Sequence, residues 1–268
     1  MSDLLSVENL TFQNCYGKRW QNQGSKFQLG PINFNICAGE TLAIVGANGS
    51  GKSLLAKLLV GLERPDSGVI YLNERKLENY DNKHRCLNIR MVFQNSNESL
   101  NPGITLGSIL EEPLKLNTSL DVQERITKVE QTLKQVGLMA EHRFFYRHML
   151  SDGQRQRVAL ARAIILNPQI IVADEPFAAL DPSVRSQTVN LLMELQRDLG
   201  LGFIFISHNL GIVRHISDKI LVMQHGKVVE SGKTDVIFNW PKHEYTKKLV
   251  NSHQALLNRQ ISNSEHDD

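Results

Sequence analysis

The octapeptide Gly46-Ala47-Asn48-Gly49-Ser50-Gly51-Lys52-Ser53 constrains this chain more than any other stretch. The apolar run Thr41-Leu42-Ala43-Ile44-Val45 precedes it and predicts a buried strand. Leu54, Leu55, Leu58, Leu59 and Leu62 follow at the spacing of one helix face. Strand, glycine loop and helix together form the context of a phosphate-binding P-loop. The glycines let the backbone turn where a Cβ would clash. The loop's N–H groups then face inward, toward an anion at the positive end of the helix. In such a loop Lys52 reaches the β- and γ-phosphates of a nucleoside triphosphate, and the Ser53 hydroxyl holds Mg²⁺. The glycine and lysine spacing arises by accident in roughly one chain in a hundred of this length, so it carries weight by itself.

The chain has 268 residues, enough for a full core. A hydrophobic share of 41% with 22% charged residues is that of a soluble globular protein. The net charge is +2 and no basic stripe stands out, so nucleic acid is not an expected partner. The three cysteines, Cys15, Cys37 and Cys86, are far apart and lack metal-ligand spacing. They suggest a reducing compartment and no disulfide framework. Met1-Ser2-Asp3 opens no signal peptide, and no apolar run approaches the length of a membrane span. A membrane role would come through a partner.

Strand signals fall at 4–12, 27–36, 41–45, 69–72, 90–93, 170–173, 203–206 and 219–223. Polar turns and helical patterns separate most of them, which predicts an α/β core with a parallel sheet. Residues 95–165 hold no clear strand but several helical patterns, including 121–138 and 152–166, and read as a helical subdomain inserted into that core. The core itself takes residues 1–94 and 166–235. Residues 236–268 form a C-terminal helix, started by Pro241, and a tail that is polar and frayed from Ile261.

Two further stretches carry chemistry. Ile170-Ile171-Val172-Ala173-Asp174-Glu175-Pro176 is an apolar strand ending in two carboxylates. At the C-terminal edge of a parallel sheet, where ligands bind, Asp174 can orient Mg²⁺ and Glu175 can accept a proton from the water attacking a γ-phosphate. Taken alone, the same residues are equally well a strand followed by an acidic turn. Leu150-Ser151-Asp152-Gly153-Gln154 has the capping-box spacing ahead of Val158, Ala161, Ile164 and Ile165, so it starts a helix. A capped helix N-terminus is also an anion site, with Gly153 allowing close approach.

In this order and spacing the segments resemble the ATP-binding subunit of ABC transporters, over nearly the whole chain. Residues 46–53 match the P-loop and Gln94, after Met91-Val92-Phe93, the Q-loop. Residues 150–154 match the signature segment, and Asp174 and Glu175 the Walker B aspartate and the catalytic glutamate. Ala179-Leu180-Asp181 matches the D-loop, and His208 the switch histidine. The resemblance implies a single nucleotide-binding domain over 1–268: an α/β P-loop NTPase core with parallel sheet, an N-terminal antiparallel β subdomain and an inserted helical subdomain. It implies ATP bound by Gly46 to Ser53, with Gln94 and an adenine-stacking aromatic. Tyr16 is the expected aromatic, with Phe12 as the alternative or as core. Mg²⁺ falls to Ser53, Gln94 and Asp174, and catalysis to Glu175 and His208. The family works as a dimer, so Ser151, Gly153, Gln154 and Asp181 act on the partner's ATP. The implied partners are a second ATPase subunit, identical or related, two transmembrane permease subunits and, indirectly, a periplasmic binding protein. The implied place is the cytoplasmic face of the inner membrane.

Three stretches narrow the likeness to the oligopeptide and dipeptide importers: Phe93 to Pro102, Tyr146 to Leu150 and His243 to Thr246. His215-Ile216-Ser217-Asp218 with Val222-Met223, and Leu116-Asn117-Thr118, resemble the peptide-uptake ATPases linked to antimicrobial-peptide resistance. Leu100, Pro102 and Ile104 are candidate permease contacts or, equally, packing residues. The chain has no cysteine after Cys86, so the iron–sulfur cluster of many such importers is not expected. Asp152 stands where the family has a glycine. About 6 Å from phosphate, its charge would cost about 3 kcal/mol at an effective dielectric of 20, unless the side chain turns to solvent. Two other functions stand beside transport ATPase. One is a nucleotide-binding subunit with weak hydrolysis in a heteromeric transporter. The other is a non-transport family member acting in translation or DNA repair, which would carry a second cassette or a long coiled coil.

Overall fold

The computed structural model of the protein describes residues 3–14, 27–78, 81–93, 100–177 and 180–264. Two long strands, β1 (Leu5–Asn14) and β2 (Phe27–Ile36), open the chain. Strand β3 (Thr41–Val45) then leads through the glycine loop to helix α1 (Lys52–Val60). Next come β4 (Ser67–Leu72), β5 (Arg75–Lys76), α2 (Asn82–Asn88) and β6 (Ile89–Val92). Between β6 and the next strand lie α3 (Leu106–Asn117), α4 (Val122–Gln135), two 3₁₀ turns and α5 (Asp152–Ile164). The chain continues with β7 (Ile170–Asp174), α6 (Pro182–Leu199), β8 (Gly202–Ile206), α7 (Leu210–Ile216), β9 (Lys219–Gln224) and β10 (Lys227–Lys233). It ends in α8 (Thr234–Asn239) and α9 (Glu244–Ser264).

Six strands form the central sheet in the order β10-β9-β3-β8-β7-β6. All its pairings are parallel except the edge pair β9–β10. Strands β2, β1, β4 and β5 form a separate antiparallel sheet. Because side chains alternate along a strand, each central strand feeds two cores. Leu42, Ile44, Val172, Ile204, Ile206 and Met223 join α1 and the antiparallel sheet in one apolar cluster. Ala43, Val45, Ile171, Ala173, Phe203 and Phe205 join α3, α4 and α5 in another. Burial on both faces explains why β3 reads as an unbroken apolar run.

The structure corrects three expectations and decides between two readings of Leu100. Leu62 is 60% exposed, because α1 stops at Val60 and Gly61 caps it in the left-handed conformation. Leu100, which could be a permease contact or packing, is fully buried in the cluster shared with α3 to α5, which favours packing. The last helix starts at Glu244, not Pro241, since the Glu230 carboxylate takes the N–H groups of Lys242 and His243 first. That helix runs to Ser264, past the expected frayed end.

Candidate active site

The loop after β3, the end of β7 and the loop after β8 meet at the carboxyl edge of three adjacent strands, the position where open α/β sheets bind ligands. They frame a cleft of about 1500 Å³, lined there by Gly46, Lys52, Ser53, Asp174, Glu175 and His208. The glycines of the loop have separate jobs. A Cβ on Gly46 would strike the Met223 carbonyl of β9, so the loop's first turn hugs the sheet. Gly51 has φ 102°, and a Cβ there would sit 2.6 Å from Leu29 Cδ1.

Helix α1 has no side-chain cap and no acidic residue in its first turn. Its leading N–H groups therefore have no side-chain cap, which suits an anion. The buried Ser50 hydroxyl, beside them, has no partner either. Lys52 is 6% exposed and its Nζ donates to the carbonyls of Gly46 and Ala47 at 2.8 and 3.0 Å. Burial draws its ammonium below the usual lysine range, against the opposite pull of Glu175 and Asp174. The Asp174 carboxyl is pushed up by burial and also by the Glu175 charge. The Ser53 hydroxyl, which donates to it, and Lys52 act in the opposite sense. A hydroxyl and a carboxylate side by side make a hard oxygen donor set, which fits a small divalent cation.

Glu175 takes φ 46°, an uncommon conformation for a side chain of its size, and its N–H donates to the Ile206 carbonyl at 3.0 Å. This turn at the strand end aims its carboxylate at His208. The His208 Nδ1–H donates to Glu175 Oε2 at 2.8 Å, leaving Nε2 of that ring uncommitted to Glu175. Gln94 and Tyr16 lie outside the described residues, as does Ala179. Phe12 and Phe27 both line the cleft, and the Phe27 ring packs against Gly51. Phe27 was missed because its place in a strand reads as core.

The signature residues are absent from the cleft lining. Ser151 is exposed and caps α5, its hydroxyl accepting the Gln154 N–H at 3.3 Å while its own N–H donates to Gln154 Oε1 at 3.0 Å. Gly153 also has a packing reason to be small, since a Cβ there would meet Val184 of α6 at 3.0 Å. Asp152 is 73% exposed and paired with Arg155 at 2.9 Å, so its side chain does turn to solvent. Asp181 precedes α6, is exposed and makes no cap with its carboxylate. The C-terminal helix also reaches the cleft: Leu249, Ser252 and His253 line it. Nothing in the spacing of those residues announces that.

The family model described as ABC transporter matches residues 29–178. The chain is 44% identical over 250 residues to the putrescine export system ATP-binding protein SapF of Escherichia coli K12, covering 93% of each chain. The E. coli CFT073 protein at the same identity is named peptide transport system ATP-binding protein SapF. The dipeptide transport ATP-binding protein DppF of E. coli K12 is 48% identical over 231 residues, 85% of this chain and 69% of that one. Among solved structures, a dimer of the ATP-binding cassette MJ0796 in a post-hydrolysis state with ADP and Pi has a TM-score of 0.73 and 30% identity, over 86% of this chain and 98% of that one.

Proposed function

The chain belongs to the ABC transporter family of ATP-binding proteins, and from that premise we propose how its residues work. It is an ATPase coupled to transport. In our reading the triphosphate lies over the N-terminus of α1, cradled by Gly46 to Ser53 with Lys52 on the β- and γ-phosphates. The uncapped helix end and the partnerless Ser50 hydroxyl support this. Phe12, Phe27 or Tyr16 stacks on the base. Ser53 and Asp174, with Gln94, hold Mg²⁺, which when bound neutralises charge on the phosphate oxygens.

Glu175 accepts the proton of the attacking water. His208 fixes the Glu175 carboxylate through Nδ1–H, which leaves its Nε2 for the γ-phosphate. The observation that carries this reading is the 2.8 Å contact between His208 and Glu175 in the same cleft as Lys52. A second subunit, a copy or a relative, supplies Ser151, Gly153, Gln154 and Asp181 to this ATP. In support, Ser151 and Asp181 are exposed, all four lie outside the cleft lining, and a related cassette is known as a nucleotide-bound dimer.

Residues 95–165 form the helical subdomain of this arrangement and receive the permease. Ile104, Met139, Phe144, Tyr146 and Met149 are all at least 36% exposed there, an apolar display that a partner would cover. Among the described residues no helix is long and apolar enough to cross a membrane. We place the chain peripherally, at the cytoplasmic face of the inner membrane, on the ground that its relatives are named as parts of transport systems. The cargo is peptide, as the names of SapF from CFT073 and of DppF suggest. In our reading it is taken up through two permeases and a periplasmic binding protein. The K12 name supports a second reading, polyamine export.

The test is Glu175→Gln. It should lower steady-state turnover at least a hundredfold and, with MgATP, elute as a dimer on size exclusion. Turnover within threefold of wild type would remove Glu175 as the base. Stimulation of the complex with its permeases by peptide or by putrescine separates the two cargoes.

A further inference from the structure

The glycine loop is touched by a residue from the far end of the chain. The Ala47 N–H donates to the Tyr245 hydroxyl at 2.7 Å, across 198 residues of sequence. Ala47 N–H belongs to the peptide unit that joins Gly46 to Ala47. The carbonyl of that same unit, Gly46 O, accepts the Lys52 ammonium at 2.8 Å. A peptide unit is planar, so Tyr245 and Lys52 grip one rigid plate from opposite edges. Its orientation sets where Lys52 is held.

Tyr245 is itself held by more than its ring. The Glu230 carboxylate of β10 accepts the N–H groups of Lys242 and His243 at 2.8 and 3.0 Å, fixing the entry to α9. The Tyr245 N–H donates to His243 Nδ1 at 3.2 Å. Thr246 and Val250 are buried at 1% and 4% exposure. The next turns of the same helix put Leu249, Ser252 and His253 into the cleft wall. A helix anchored at its start, walling the cleft and bonded to the loop is placed to feel what the loop binds.

We propose that α9 is a working wall of the nucleotide site and that Tyr245 is a positioning residue, orienting the Gly46–Ala47 peptide so that Lys52 is set for the phosphates. This rests on the reading of the cleft as the MgATP site. Because coupling between binding equilibria is reciprocal, nucleotide on Lys52 also tightens the docking of α9 through the same peptide.

Tyr245→Phe keeps the ring and removes the acceptor. Loss of one neutral hydrogen bond predicts a roughly two- to tenfold rise in the dissociation constant for MgATP, measured by equilibrium binding, and a KM that rises more than kcat falls. In the wild type, MgADP should slow amide exchange over residues 244–255, and the phenylalanine variant should lose that slowing. A merely structural brace would lower Tm and leave the MgATP affinity and the MgADP effect in place. An unchanged dissociation constant in Tyr245→Phe overturns the positioning role, as does α9 exchange indifferent to MgADP in the wild type. Lys52→Ala separates the layers: if it fails to bind MgATP the cleft reading stands, and an unchanged Tyr245→Phe then removes Tyr245 alone. If it binds like wild type, both readings fall.

Discussion

Replacing Asp152 with glycine restores the residue the family has at the tip of α5 and probes the proposed action of that tip on a neighbouring subunit's ATP. At about 6 Å from a phosphate charge, a carboxylate costs about 3 kcal/mol at an effective dielectric of 20 but about 0.7 kcal/mol at that of water. The side chain is 73% exposed in the single subunit, and on that ground the second figure is the working value. Arg155, 2.9 Å from the carboxylate, cancels part of what is left. Asp152→Gly should therefore raise kcat/KM for ATP by about threefold at most. Arg155→Ala should lower it by a similar factor, and the double variant should return it toward wild type. Steady-state ATPase at 20 and 200 mM salt checks the electrostatic origin, since both effects must shrink as screening rises. A hundredfold gain in Asp152→Gly would mean the carboxylate faces the phosphates in a dry site, and the argument from exposure would be wrong.

The remaining expectations are independent of that one. Burial holds the Asp174 carboxyl above its ordinary range, and a group raised on folding stabilises the fold only when protonated, a contribution lost as pH rises through the raised value. Asp174→Asn should thus abolish hydrolysis yet raise Tm at pH 8, with the gain fading on acidification; a fall in Tm at pH 8 would contradict the assigned cause. Phe27→Leu should raise KM for ATP about two- to tenfold if its ring stacks on the base, and equal KM values would leave that role to Phe12 or Tyr16. Phe144→Glu should leave the soluble ATPase untouched and reduce co-purification with the permeases, which pull-down from solubilised membranes would measure.

Much of the fold was readable because most of the central strands are buried on both faces and so announce themselves as apolar runs. β10 was not, since Lys227–Lys233 is half-exposed, antiparallel and charged at both ends. The start of α9 was misplaced for a related reason: Glu230, which takes its first N–H groups, sits on that unread strand. In the site, Lys52, Ser53, Asp174, Glu175 and His208 could be named from order and spacing, and they line one cleft. Tyr245 and His253 could not, because only the docking of α9 brings them there. The anion reading of Gly153 rests on its place at a helix tip; that its missing side chain also makes room for Val184 could not be read, because α6 lies well beyond it in the chain. Local patterns carry the elements and the loop chemistry; contacts made by a late helix on an early loop leave no local mark.

The first turns of helix α5 have two allegiances. Its tip carries Ser151, while Gln156, one and a half turns further on and 2% exposed, donates to the Pro176 carbonyl at 3.0 Å, next to Glu175. In the proposed pairing the tip belongs to the neighbour's reaction and the turn that carries Gln156 to its own. Any tilt of α5 as one triphosphate is cleaved is then felt at the other, so the two reactions run as correlated events, and a heterodimer with one dead half would slow its sound half too.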